Sequence, residues 1–146
     1  MIVEMLKFIR KEYKKNKANK AFYSKIAKAC FRYYTDTKKS EYISEAAMKK
    51  ANELGIDLKT MTWKTQTKYD KKRLIFHYEH CNTIHELTER LLETNEPVEN
   101  ILKDDIVCWI LKTENQKLDD NGFKSKRPGG WQKCYKQCGI KYKKNR

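Results

Sequence analysis

Apolar positions recur at helical spacing along the first third of the chain. Ile2, Met5, Leu6, Ile9 and Tyr13 share one stripe and predict a helix over 2–13. Lysines crowd its end, where cations suit the negative pole of the helix dipole. A second helix, 20–34, aligns Phe22, Ile26, Ala29, Cys30 and Tyr33. A third, 39–54, aligns Ile43, Ala47, Ala51 and Leu54 before Gly55 stops it. Residues 56–72 have no clear period and read equally as extended segment or loop. Trp63 there either stacks on a base or anchors the segment to the core, the commoner fate of a lone Trp. The period then shortens. Arg73–His80 and Asp105–Leu111 are short apolar runs that predict two strands. Between them, Ile84, Leu87, Leu91 and Leu92 give a helical face behind a Thr83/Glu86 capping box, and Pro97 opens another turn reaching Lys103.

Lys112–Leu118 continues the second strand as a helix that ends at Asn121-Gly122. A basic loop, 124–130, leads to a short helix, 131–138, closed by Gly139, with Trp131 and Tyr135 read as packing residues. The expected architecture is α+β. An amino-terminal helical subdomain covers 1–58, and a core of two strands and a helix, with a helical insertion between the strands, covers 59–140. A basic tail, 141–146, is expected to fray.

Charge changes the picture. The 146 residues hold 33 Lys and Arg against 19 Asp and Glu, a net charge of +14. Such a field attracts polyanions and repels copies of itself. Nucleic acid is the natural partner, because each neutralised phosphate releases condensed counterions; the plainer alternative is a lysine-rich surface that only solvates. The five cysteines are odd in number and widely spaced, which favours a reducing compartment over a disulfide framework. Glu4 and Lys7 interrupt the apolar start, unlike a signal peptide, and no run approaches the ~20 apolar residues of a membrane span. A cytoplasmic protein without a membrane partner is expected.

Phosphodiester hydrolysis needs an activated water, a cation on the scissile phosphate and relief for the leaving oxygen. His80, at a strand end, is the candidate general base. Glu79 offers a hard carboxylate oxygen and Asn115 an amide oxygen, both suited to Mg²⁺ or Mn²⁺. Lys112, Lys117, Lys124, Lys126 and Arg127 are candidate nucleic-acid contacts. Arg127 is also the candidate clamp or transition-state stabiliser, because its guanidinium matches a phosphate bidentately. A zinc site joining His77 or Cys81 to Cys134 and Cys138 competes, but the spacing is not that of a finger or knuckle. His77, Cys81 and His85 stand four apart across a strand end and a helix start, so they share no helical face.

Glu79-His80 closing a strand, followed by a second strand and a helix carrying Asn115, resembles the HNH, or ββα-metal, endonucleases over residues 73–118. Residues 122–140 are also similar to the ending of small proteins of that type. The resemblance implies a ββα-metal core in which His80 activates water while Glu79 and Asn115 hold the metal. It implies a metal-dependent DNA endonuclease of restriction, phage or mobile-element kind. Two departures stand out: Glu replaces the usual Asp or His, and two helices fill the usual short spacer, with Asn82 as stand-in for the residue that orients the histidine. The alternatives are a non-catalytic basic nucleic-acid-binding protein and an interaction protein for an acidic partner. The sequence leaves DNA against RNA open; a homodimer would suit a symmetric double-strand cut.

Overall fold

The computed structural model describes all 146 residues. Helices α1 (Ile2–Lys15) and α2 (Lys20–Thr35) precede strand β1 (Tyr42–Ser44) and helix α3 (Glu45–Leu54). Strand β2 (Phe76–His80), helices α4 (Ile84–Glu93) and α5 (Val98–Lys103), and strand β3 (Val107–Leu111) follow. Helix α6 (Lys112–Asp120), helix α7 (Trp131–Gln137) and strand β4 (Tyr142–Lys144) complete the chain. The result is a mixed α+β fold with one four-stranded sheet in the order β2-β3-β1-β4. β2 runs antiparallel to β3, β1 parallel to β3, and β4 antiparallel to β1. Strand β2 is therefore an edge, followed in sequence by the inserted α4 and α5. No helix is long and apolar enough to cross a membrane.

Three apolar clusters hold the elements. Leu6, Ile9 and Tyr13 of α1 and Ala27, Cys30 and Phe31 of α2 pack with Leu87, Leu91 and Leu92 of α4 and Val98, Ile101 and Leu102 of α5. The amino-terminal helices thus bury their stripes against the insertion between the strands. One sheet face, with Phe76, Tyr78, Val107, Trp109 and Ile43, packs on Ala47 and Ala51 of α3 and on Leu58 and Met61. The other, with Cys108 and Ile110, packs on Leu118 of α6, on α7 through Trp131, Cys134 and Tyr135, and on Ile140.

Three expectations change. The 39–54 helix begins only at Glu45, because Ser44 caps it by accepting the Ala47 N–H at 3.0 Å. Residues 42–44 instead pair in the sheet, so the 1–58 segment contributes a strand as well as helices. The buried stripe of α2 is rotated: Ala27, Cys30, Phe31 and Thr35 face inward, while Phe22 and Tyr33 are exposed. Turning toward α4 puts Phe31, rather than Phe22, under cover. The carboxyl end does not fray, because β4 completes the sheet and the Asn145 N–H bonds the Glu41 carbonyl at 2.9 Å.

Candidate active site

The free edge of β2 borders a cleft of about 650 Å³, walled by α2, the start of α4, α6 and the 124–125 loop. All three histidines of the chain, His77, His80 and His85, line it. So do Glu79 and Asn115. Alternation along the strand sends His77 and Glu79 to the sheet face that carries α6, and Tyr78 and His80 to the opposite face. Asn115, carried by α6, thus approaches from the face opposite to that of His80, and the two share the cleft only because β2 has no neighbour on its outer side, where residues from both faces border it.

His80 is held by an acid that the local pattern does not single out. Its Nδ1 lies 2.8 Å from Oδ1 of Asp105, a fully buried carboxylate. A carboxylate accepts, so Nδ1 donates in this bond, and Nε2 is the ring nitrogen that carries the lone pair when the imidazole is neutral. Asn82 does not orient the histidine; its amide donates to the Asp104 carbonyl at 2.8 Å. The register explains the partnership. His80 pairs with Val107 at the start of the antiparallel β3, so an acid two residues before Val107 falls beside the end of β2. That signal is present in the chain once the two runs are paired as a ladder.

Glu79 is only 5% exposed and lies within a chain of polar partners. Arg127 Nη2 donates to Oε1, and His77 Nε2 lies 2.8 Å from Oε2. The Glu79 carboxylate accepts from Nε2, and Lys112 Nζ sits 3.3 Å from Nδ1 of the same ring. Burial would push the Glu79 carboxyl up. The His77 hydrogen bond, with the charges of His77, Arg127 and His80, outweighs it and holds the group below the ordinary carboxylate value.

The cations divide differently from the sequence expectation. Arg127 is buried, donating from Nε to the Phe123 carbonyl at 2.9 Å and from Nη1 to the Cys81 carbonyl at 3.0 Å. Its donors serve Glu79 and the loop backbone, and a phosphate clamp would have to displace them. Lys124 lines the cleft, Lys112 lies against His77, and Lys117 and Lys126 are exposed beyond the cleft wall. Lys28 and Arg32, one turn apart on α2, are cleft cations that no motif in the sequence marks, and Asp119 adds an acid one turn beyond Asn115.

No family model matches the chain, and neither a curated protein nor a solved structure matches it. The site rests on its own chemistry. No group of three or more His, Cys, Asp or Glu side chains is arranged to hold a metal ion. Of the competing zinc ligands, Cys81, Cys134 and Cys138 lie in the apolar cluster packed with α6 and α7, and burial pushes their thiols up. A hard, weakly held cation asks for less. Mg²⁺ uses one or two protein oxygens and completes its shell with water and phosphate. An ionised Glu79, with lone pairs beyond the bonds its oxygens accept, and the Asn115 amide fit that donor chemistry.

Proposed function

We propose that the protein is a metal-dependent endonuclease hydrolysing DNA phosphodiester bonds, with β2, β3 and α6 acting as a ββα-metal core of HNH kind. The observation that carries this reading is His80 on the cleft wall with its Nδ1 bonded to buried Asp105 at 2.8 Å. A proton fixed on Nδ1 leaves Nε2 to take one from water. The water oxygen then bonds to phosphorus as the ester bond opposite breaks. Asp105 steadies the imidazolium that forms, as a buried carboxylate does behind any histidine base. Lys28, Arg32 and Lys124 border the cleft and hold flanking phosphates. Glu79 and Asn115 would hold Mg²⁺ or Mn²⁺, which when bound supplies Lewis acidity at the scissile phosphate and charge relief for the leaving oxygen. Arg127 and His77 keep the Glu79 carboxylate ionised and oriented.

One observation favours a second reading, a basic nucleic-acid-binding protein without catalysis. Both Glu79 oxygens already accept from protein cations or a histidine, as they would in a purely structural network. Supercoiled-plasmid cleavage with Mg²⁺, Mn²⁺ or EDTA separates the two. The expected result is metal-dependent nicking that EDTA abolishes. His80→Ala should slow it by roughly 10²–10⁴-fold, the range for a positioned base. Asp105→Asn should slow it by about 10–100-fold, as for loss of a histidine-orienting partner. Neither change should alter DNA affinity in EDTA. Wild-type cleavage by His80→Ala would move the base elsewhere, and DNA binding without cleavage in either metal would establish the second reading.

A further inference from the structure

The segment before β2 is built more rigidly than a connector requires. Asp70, 1% exposed, accepts from three successive backbone N–H groups: Leu74 at 3.1 Å, Ile75 at 3.2 Å and Phe76 at 2.9 Å. Gln66, also 1% exposed, donates to Asp70 at 3.0 Å and to the Phe76 carbonyl at 2.8 Å. Inside this frame Lys72 and Arg73 take consecutive left-handed conformations, with φ 57° and 53°. Residues with a Cβ rarely adopt that region, and a strained turn persists only where its surroundings enforce it.

The strain places Arg73. Its guanidinium carbon lies 3.8 Å from the centroid of the Trp63 ring, and Nη1 donates at 2.7 Å to both the Trp63 carbonyl and Gln66 Oε1. The indole is thus clamped in one plane, yet it is 40% exposed and lines the cleft that holds His80 and Asn115. Lysines 64, 68, 71 and 72 of the same segment are all exposed, and so is Tyr69, at 61%. Core anchoring does not account for an indole left this open.

We infer that Trp63 is a stacking platform for an unpaired nucleobase, and that the 63–74 loop is the docking lip for a single-stranded stretch of the polynucleotide beside the scissile phosphate. This rests on the nucleic-acid half of the proposed function. In a duplex the base faces cover one another and only edges reach the grooves. An aromatic face in a recess therefore selects a base that has left its stack. Interleaved cations and aromatic rings are the chemistry that tracks a single strand, the cations on phosphates and the rings on bases. Asp70 and Arg73 set the indole plane before the strand arrives, which lowers the ordering cost of binding.

Intrinsic fluorescence tests this directly, because Trp109 and Trp131 are 0% and 4% exposed and Trp63 is the remaining tryptophan. The probes are a deoxythymidine oligonucleotide and a blunt duplex of equal length, in EDTA so that nothing is cut. The single strand should quench the signal and the duplex should not. Trp63→Ala should weaken strand affinity about 5- to 150-fold, the equivalent of one lost base stack. Trp63→Phe, which keeps a ring and the loop, should bind near the wild-type level without the quench. Absent quenching, equal quenching by the blunt duplex, or wild-type strand affinity in Trp63→Ala would each overturn the inference. Should Trp63→Ala unfold, the strand-against-duplex comparison on the wild type decides alone. Plasmid cleavage with no Trp63 effect on strand binding sinks only this inference; strand quenching without cleavage in any metal sinks only the nuclease.

Discussion

Glu79, marked in the sequence as a hard oxygen donor at a strand end, lies buried among polar partners in the fold. A buried carboxylate bonded by Arg127 and facing His77 ties the edge strand to the 124–130 loop. Its carboxyl is held below the ordinary value of about 4.3, so the unfolded chain binds a proton that the folded protein does not. Its contribution to stability is therefore complete above that value and lost as pH falls below it, through the folded-state value. Denaturation midpoints measured from about pH 6 down to pH 3 should fall on the acid side, and Glu79→Gln should remove part of that slope. A variant with the wild-type profile would show that the network does not depend on the ionised form. The Arg127 fork was legible as a bidentate oxyanion clamp, read as one for phosphate. Its partner was not, because a carboxylate and a phosphate look alike to a guanidinium and only the folded chain shows which lies nearer.

At the scale of elements, the segment 56–72 is the clearest limit of pattern reading. It has neither period because it is built of turns and two short 3₁₀ segments, Gln66–Lys68 and Lys71–Arg73, which the buried Asp70 and Gln66 side chains tie to the start of β2. Asp70→Ala leaves up to three N–H groups without their acceptor and should cost about 3 kcal/mol, following the usual penalty for unsatisfied buried groups. Urea denaturation checks this; a loss below about 0.5 kcal/mol would show that the turn holds without the carboxylate. The contrast with α4 is instructive. Thr83 caps it by accepting the Glu86 N–H at 3.1 Å, and Leu87, Leu91 and Leu92 bury as the spacing foretells. There local bonding and apolar period agree, which makes an element readable.

For the molecule as a whole, net charge and cleft must be distinguished. A charge of +14 would draw a polyanion to any part of the surface, but only some cations border the cleft. If Lys28 and Arg32 hold phosphates there, replacing both with Ala should make the log–log dependence of duplex affinity on salt shallower by about 0.9 for each phosphate no longer neutralised. Fluorescence anisotropy in EDTA across about 50–200 mM salt measures it. Lys126→Ala, outside the cleft, should change the slope less. An unchanged slope in the α2 variant would place the phosphates on another face.

The chain by itself determined the strand–strand–helix order, the caps at Thr83 and Gly55, and the excess of positive charge, because each is set by neighbours within a few residues or by composition alone. It also placed Glu79 and His80 at a strand end and Asn115 on the following helix. Tertiary structure alone decided that Asp105 stands behind His80, that Arg127 serves Glu79, and that α2 turns Lys28 and Arg32 toward the cleft. It also decided that 42–44 and 142–144 complete the sheet. These partners are separated along the chain by a whole insertion or more, and what unites them is the pairing of an edge strand and the burial of charge. A local pattern carries no record of which distant group will neutralise a buried one.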